Sequence, residues 1–191
     1  TDQTSYVSAR ERAEDIDACL KTVFSNEFIE KFVDPGRVCL LGMSWGADSI
    51  IEWHAMESDL PKYHSVLCYG NMWPFKPHWK KIDGENISLY HGESDNWTSM
   101  KAAKIFSEQT GAALSTFPNV YHGFFKPGPS QVLEGVMSLS SVELPVPTTS
   151  KRFYMMVKTG QVSVPKVNAV IEFNEEASKA VLDDITVYLN K

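Results

Sequence analysis

Cysteine is scarce in this chain. Cys19, Cys39 and Cys68 form an odd set with no close pairing, which excludes a disulfide-stapled scaffold and points to a reducing compartment, the cytoplasm. Basic residues are outnumbered, 18 Lys and Arg against 24 Asp and Glu, for a formal net charge of -6. That balance excludes a nucleic-acid partner, whose phosphates demand a basic face, and disfavours an anionic membrane surface. No apolar run approaches the ~20 residues of a membrane-spanning helix. No Cys/His metal spacing and no glycine-rich phosphate loop occurs, so neither metal nor cofactor is implied. Internal repeats and low-complexity tracts are lacking too. Two sequons, at Asn86 and Asn96, read as chance tripeptides.

What remains is an ordinary globular composition, 43% hydrophobic and 22% charged over 191 residues, enough for one sizeable core. Residues 7–24 place Ala13, Ile16, Leu20 and Val23 at helical spacing. Asp34-Pro35-Gly36 reads as a turn. The apolar run 37–41 then fits a strand covered on both faces, as in a parallel sheet, and helix-compatible sequence follows from Trp45 to about Met56. The alternation repeats, with strands at 65–69, 87–90 and 113–117 and a helix at 98–109 stopped by Gly111. Such single-file alternation predicts a mainly parallel sheet in an α/β domain spanning 1–191. Regularity breaks after Phe125. The segment 127–173, rich in Pro and Ser, reads as a hairpin-like insertion with strands at 152–157 and 162–164, before a last helix at 175–189 that buries Ala177, Val181, Ile185 and Tyr188.

Gly42-Met43-Ser44-Trp45-Gly46 is a G-x-S-x-G pattern set directly between one strand and one helix. A serine at such an elbow sits in strained backbone, its neighbours must be small, and its hydroxyl projects from the carboxyl edge of the sheet. The backbone N–H of Trp45 falls in the first helical turn, where it is aimed at a developing oxyanion. A serine nucleophile needs a base, and the base an orienting carboxylate. Two later strand ends supply them in the order Ser, Asp, His: His91-Gly92-Glu93-Ser94-Asp95 and Tyr121-His122-Gly123-Phe124-Phe125. Asp95 and His122 are therefore the candidate acid and base.

The leading helix, the elbow "LLGMSWG", then "YHGESD" and "YHGFF", resemble the dienelactone hydrolase family of the α/β-hydrolase superfamily, over roughly residues 10–126 and again in the final helix. The resemblance implies a three-layer α/β-hydrolase fold with Ser44, Asp95 and His122 as triad. The family proper carries cysteine at the nucleophile position; serine here favours a serine hydrolase of carboxylic esters, thioesters or lactones. An acyltransferase with the same triad and a catalytically silent binding subunit are the alternatives. In that fold several strands precede the nucleophile and one of their loops donates a second oxyanion N–H. Only 43 residues precede Ser44. The expectation is a C-terminal part, completed by a missing N-terminal segment or a companion chain.

Met43 and Trp45 beside the serine, with Trp73 and Trp97 on strand-end loops, are candidates for oxyanion and substrate contacts; Phe75 and Trp79 share the choice between acyl pocket and core. His91 is expected to pack or bond the loop that holds Asp95. Glu93 is the rival acid. His54 reads as a polar helix residue, His64 and His78 as surface or loop, and Met155 and Met156 as core or hairpin packing.

Overall fold

The computed structural model describes residues 7–27, 31–72, 79–138 and 155–191. Helix α1 (Ala9–Ser25) starts on a capping box in which the Ser8 hydroxyl accepts from Glu11 N and the Glu11 carboxylate accepts from Ser8 N. Four parallel strands follow in the spatial order of the chain: β1 (Cys39–Met43), β2 (His64–Cys68), β3 (Ile87–Gly92) and β4 (Ala113–Phe117). Helix α2 (Trp45–Ala55) joins β1 to β2. Helix α3 (Met100–Thr110) joins β3 to β4, capped by Ser99 and ended by Gly111 at φ 80°. The last helix, α4 (Glu175–Leu189), is capped by Asn174 with Glu175 and Glu176 in its first turn, where the helix dipole favours acids.

Strand alternation sorts the core into two layers. Leu67, Ile87 and Leu89 face Ile50, Ile51 and Phe106 of α2 and α3. Val66, Cys68 and Tyr90 face Phe124 and the Ala177 and Val181 of α4. Trp79 also lies in the first layer, edge-on to Phe106 at 5.3 Å, so it is core rather than pocket. The buried stripe of α4 is the one read from its sequence, with Ile185 and Tyr188 half-buried.

Three expectations are corrected. Strand β1 begins two residues later than read and is only partly covered: Leu40 and Cys39 pack against the two core layers, but at this edge of the four-stranded sheet Leu41 stays 39% and Met43 42% exposed. Within 127–173 a β pair does form, but from other residues. Strands β5 (Gln131–Met137) and β6 (Lys166–Ile171) run antiparallel, with a bulge between Leu133 and Val136 around Gly135 at φ 63°. Of the expected strand 152–157, residues 155–157 lie in a helical turn over 155–158, and 162–164 is not a strand. Met155 is exposed there. Finally, His64 is no surface residue. Its ring stacks on Tyr188 at 4.4 Å, with Nε2 3.7 Å from Asp184.

Candidate functional site

Ser44 caps α2 with φ 50° and ψ −116°, a conformation L-residues rarely hold and worth roughly 1–3 kcal/mol of strain. Its N–H donates to Cys68 O at 3.0 Å, which ties the elbow to the end of β2. Close packing holds the turn. A Cβ on Gly42 would stand 2.8 Å from Ala47 Cα and N, and one on Gly70 2.8 Å from Ala47 Cβ. The second glycine of the pattern is different, because a Cβ on Gly46 meets nothing within 4 Å. Only the first small neighbour is demanded sterically by the described residues.

The three residues picked from the sequence come together at the carboxyl ends of their strands. His122 Nε2 lies 3.1 Å from Ser44 Oγ, and Nδ1 lies 2.8 Å from Asp95 Oδ2. A carboxylate only accepts, so Nδ1 carries the proton and Nε2 turns its lone pair toward the serine hydroxyl. Asp95 has further partners on both oxygens. Its Oδ1 accepts from Trp97 N at 2.8 Å and Thr98 N at 3.0 Å, and its Oδ2 from Thr98 Oγ1 at 2.7 Å. Burial pushes this carboxyl up, but the His122 hydrogen bond and charge, His91 and Thr98 together hold it below the usual carboxylate range. Glu93, the rival, instead accepts from Thr116 Oγ1 at an exposed position.

The loop that carries His122 is clamped from outside the four-stranded sheet. His122 bridges Ile171, Glu172 N donates to His122 O at 3.2 Å, and Asn174 N donates to Phe124 O at 3.0 Å. On the Asp95 side, Asn96 Nδ2 donates to Asn168 O and Ser138 Oγ to Asn96 O. Trp97 lays its ring 4.7 Å from that of His122 and donates Nε1–H to Met137 O at 3.1 Å. The β5–β6 ribbon thus grips both loops of the site.

Of the substrate-contact candidates, Met43 and Trp45 flank Ser44 and are exposed, with the Arg12 guanidinium 5.2 Å from the Trp45 ring centroid. Trp73, Phe75 and His78 lie outside the described residues. His91 is fully buried, Nδ1 3.0 Å from Gly92 O and Nε2 3.3 Å from Thr98 Oγ1, so it does bond the Asp95 loop. His54, near the far end of α2, is buried with Nε2 2.8 Å from Ser65 Oγ. Burial there drives its pKa down to about 3. Cys68 is buried and its thiol is pushed up to about 12. Among the described residues no group of three His, Cys, Asp or Glu is placed to hold a metal ion, and no helix is long and apolar enough to cross a membrane.

Three neighbours of the site escaped the sequence reading. Tyr69 at φ 42° sets its ring 4.7 Å from His122. Asp48 is buried on α2, its carboxyl pushed well above the usual range by burial, with Oδ1 accepting from Asn71 N at 2.7 Å. Thr98 is the third. Its spacing from Asp95, with turn residues between, is a signature of side-chain-to-backbone turns and was legible only as part of a sequon.

No protein-family model matches the chain, and no curated protein matches it. Among solved structures it is similar to a sugar hydrolase from Lactococcus lactis, with a TM-score of 0.52 and 16% identity over 65% of this chain. The chain spans 60% of that protein's length. The likeness is one of fold, a parallel sheet with helices packed against it.

Proposed function

We propose that the chain carries the site of a serine hydrolase, of α/β-hydrolase fold and dienelactone hydrolase type, that cleaves a carboxylic ester, thioester or lactone. The observation that carries this reading is the hydrogen-bonded chain Ser44 Oγ, His122, Asp95, at 3.1 and 2.8 Å, on an elbow with φ 50°. His122 Nε2 takes the serine proton as Oγ attacks the acyl carbon, and Trp45 N–H at the start of α2 faces the oxyanion. Collapse breaks the bond to the alcohol or thiol, which leaves with the proton held on Nε2. Water then attacks the acyl-enzyme, giving its own proton to Nε2, and the acid departs as Ser44 recovers that proton. Asp95 keeps the ring in the right tautomer throughout.

The neighbour's description as a sugar hydrolase is compatible with an ester of a sugar. Glycosidic cleavage calls on two carboxylates flanking the bond, whereas both oxygens of Asp95 are committed to hydrogen bonds. Hydrolysis of p-nitrophenyl butyrate and of an acyl-thioester is the test. The wild-type chain, with whatever segments accompany it natively, is expected to release both leaving groups, and Ser44→Ala to release neither while keeping its circular dichroism. Equal turnover by Ser44→Ala would overturn the reading. An added alcohol acceptor separates acyl transfer from hydrolysis by its ester product.

A further inference from the structure

The Thr98 hydroxyl has one proton and three acceptors within reach. Asp95 Oδ2 stands at 2.7 Å, and Tyr69 O and His91 Nε2 both stand at 3.3 Å. His91 is drawn into this competition by its other nitrogen. Gly92 O can only accept, so Nδ1, 3.0 Å away, carries the proton. Burial lowers the His91 pKa, which favours the neutral ring. Its Nε2 is then a lone pair. Distance and charge decide the contest, because a hydrogen bond to an ionised acceptor is shorter and stronger than one to a neutral acceptor. The proton goes to Asp95 Oδ2, the same oxygen that accepts from His122 Nδ1. Thr98 is buried and its own N–H donates to Asp95 Oδ1, so the hydroxyl is held in place by the carboxylate it serves.

We infer that Thr98 is a positioning residue for the triad: its hydroxyl donates to Asp95 Oδ2 and thereby sets how strongly that oxygen supports the His122 imidazolium. The inference rests on the triad reading above. The titratable groups gathered around Asp95 are His122 from the loop after β4, His91 from β3 and Tyr69 from the end of β2. The sign follows from charge. A donor on Oδ2 withdraws electron density from it. Without the hydroxyl, Oδ2 is the more basic acceptor, the imidazolium is better stabilised, and the acid limb of Ser44 reactivity moves to higher pH.

The rate constant for labelling of Ser44 by a fluorophosphonate, measured against pH, tests this without knowledge of the natural substrate. Thr98→Val and Thr98→Ala are expected to move the acid limb upward by roughly half a pH unit or more. Thr98→Ser, which restores the donor, is expected to keep the wild-type midpoint. A merely structural role lowers the plateau of all three and leaves the midpoint in place, and that result would overturn the inference. If Ser44→Ala still labels, the triad reading itself has failed. Labelling that is lost in Ser44→Ala, with an unmoved midpoint in Thr98→Val, fails the inference alone. Should both hydroxyl-free variants not fold, the wild-type chain decides by NMR. The Thr98 hydroxyl proton must show a cross-relaxation contact to the His122 Nδ1 proton, since both point at Oδ2; a hydroxyl proton turned toward Tyr69 O or His91 contradicts the inference.

Discussion

His122 and His54 are both buried histidines with a serine hydroxyl as partner, yet their surroundings prepare them for different fates. His122 has a carboxylate on its second nitrogen and a strained serine on its first. Removing it by His122→Ala is expected to cut ester turnover by roughly a thousandfold or more, while His54→Gln costs little, as steady-state assays of the two variants will tell. His54 bears on stability instead. Its pKa falls from an ordinary 6.5 to about 3 on folding, so the unfolded chain binds the extra proton between those values. Stability from this residue is therefore complete above about pH 6.5 and is lost as pH falls toward 3, by up to a few kcal/mol at about 1.4 kcal/mol per pH unit. Urea titrations from pH 7 to 4 are expected to give a shallower decline for His54→Gln than for the wild type; parallel declines would show that His54 is not the group responsible. At this scale the sequence displayed Ser44, Asp95 and His122 because their order and strand-end places follow from a motif. It did not display Thr98, Tyr69 or the burial of Asp48, whose roles arise from where loops close in space.

The elements of the sheet and its helices were legible because each carries one clear period. Apolar runs bounded by turns gave β1 to β4, and Gly111 marked the end of α3. The ribbon was misread for a physical reason. The segment 152–157, with its aromatic and β-branched residues, has the higher strand propensity, whereas β5 is interrupted by Glu134 and Gly135 and is mostly exposed. Pairing across the bulge and hydrogen bonds to the Asp95 and His122 loops outweigh that propensity. The two glycines of the elbow give the sharpest test of element-level packing. Gly42→Ala forces a methyl to within 2.8 Å of the Ala47 backbone and is expected to cost roughly 1–3 kcal/mol. Gly46→Ala enters open space in the first turn of α2, and the better helix propensity of Ala makes it neutral or stabilising by up to about 1 kcal/mol. Thermal melts of the two variants should diverge; equal losses would contradict this account of the turn.

For the whole molecule, the open side of β1 is the consequential feature. Among the described residues no strand pairs with that edge, and Leu41, Met43, Leu182 and Val187 are exposed on β1 and α4. An uncovered apolar edge is an aggregation hazard that folded proteins cover. We propose that in the native protein further strands, from the same polypeptide or a companion chain, pack beside β1 and bring the second oxyanion donor. An intact mass above 21.5 kDa for the natural protein or complex is expected, and an active, stable monomer of that mass would contradict it. The nucleophile itself is tested at Ser44, by peptide mapping after fluorophosphonate treatment. One adduct is expected, on the peptide bearing Gly42-Met43-Ser44-Trp45-Gly46, absent in Ser44→Ala and strongly slowed in His122→Ala; an adduct on any other serine, or labelling indifferent to His122, would contradict the assignment of Ser44 and His122.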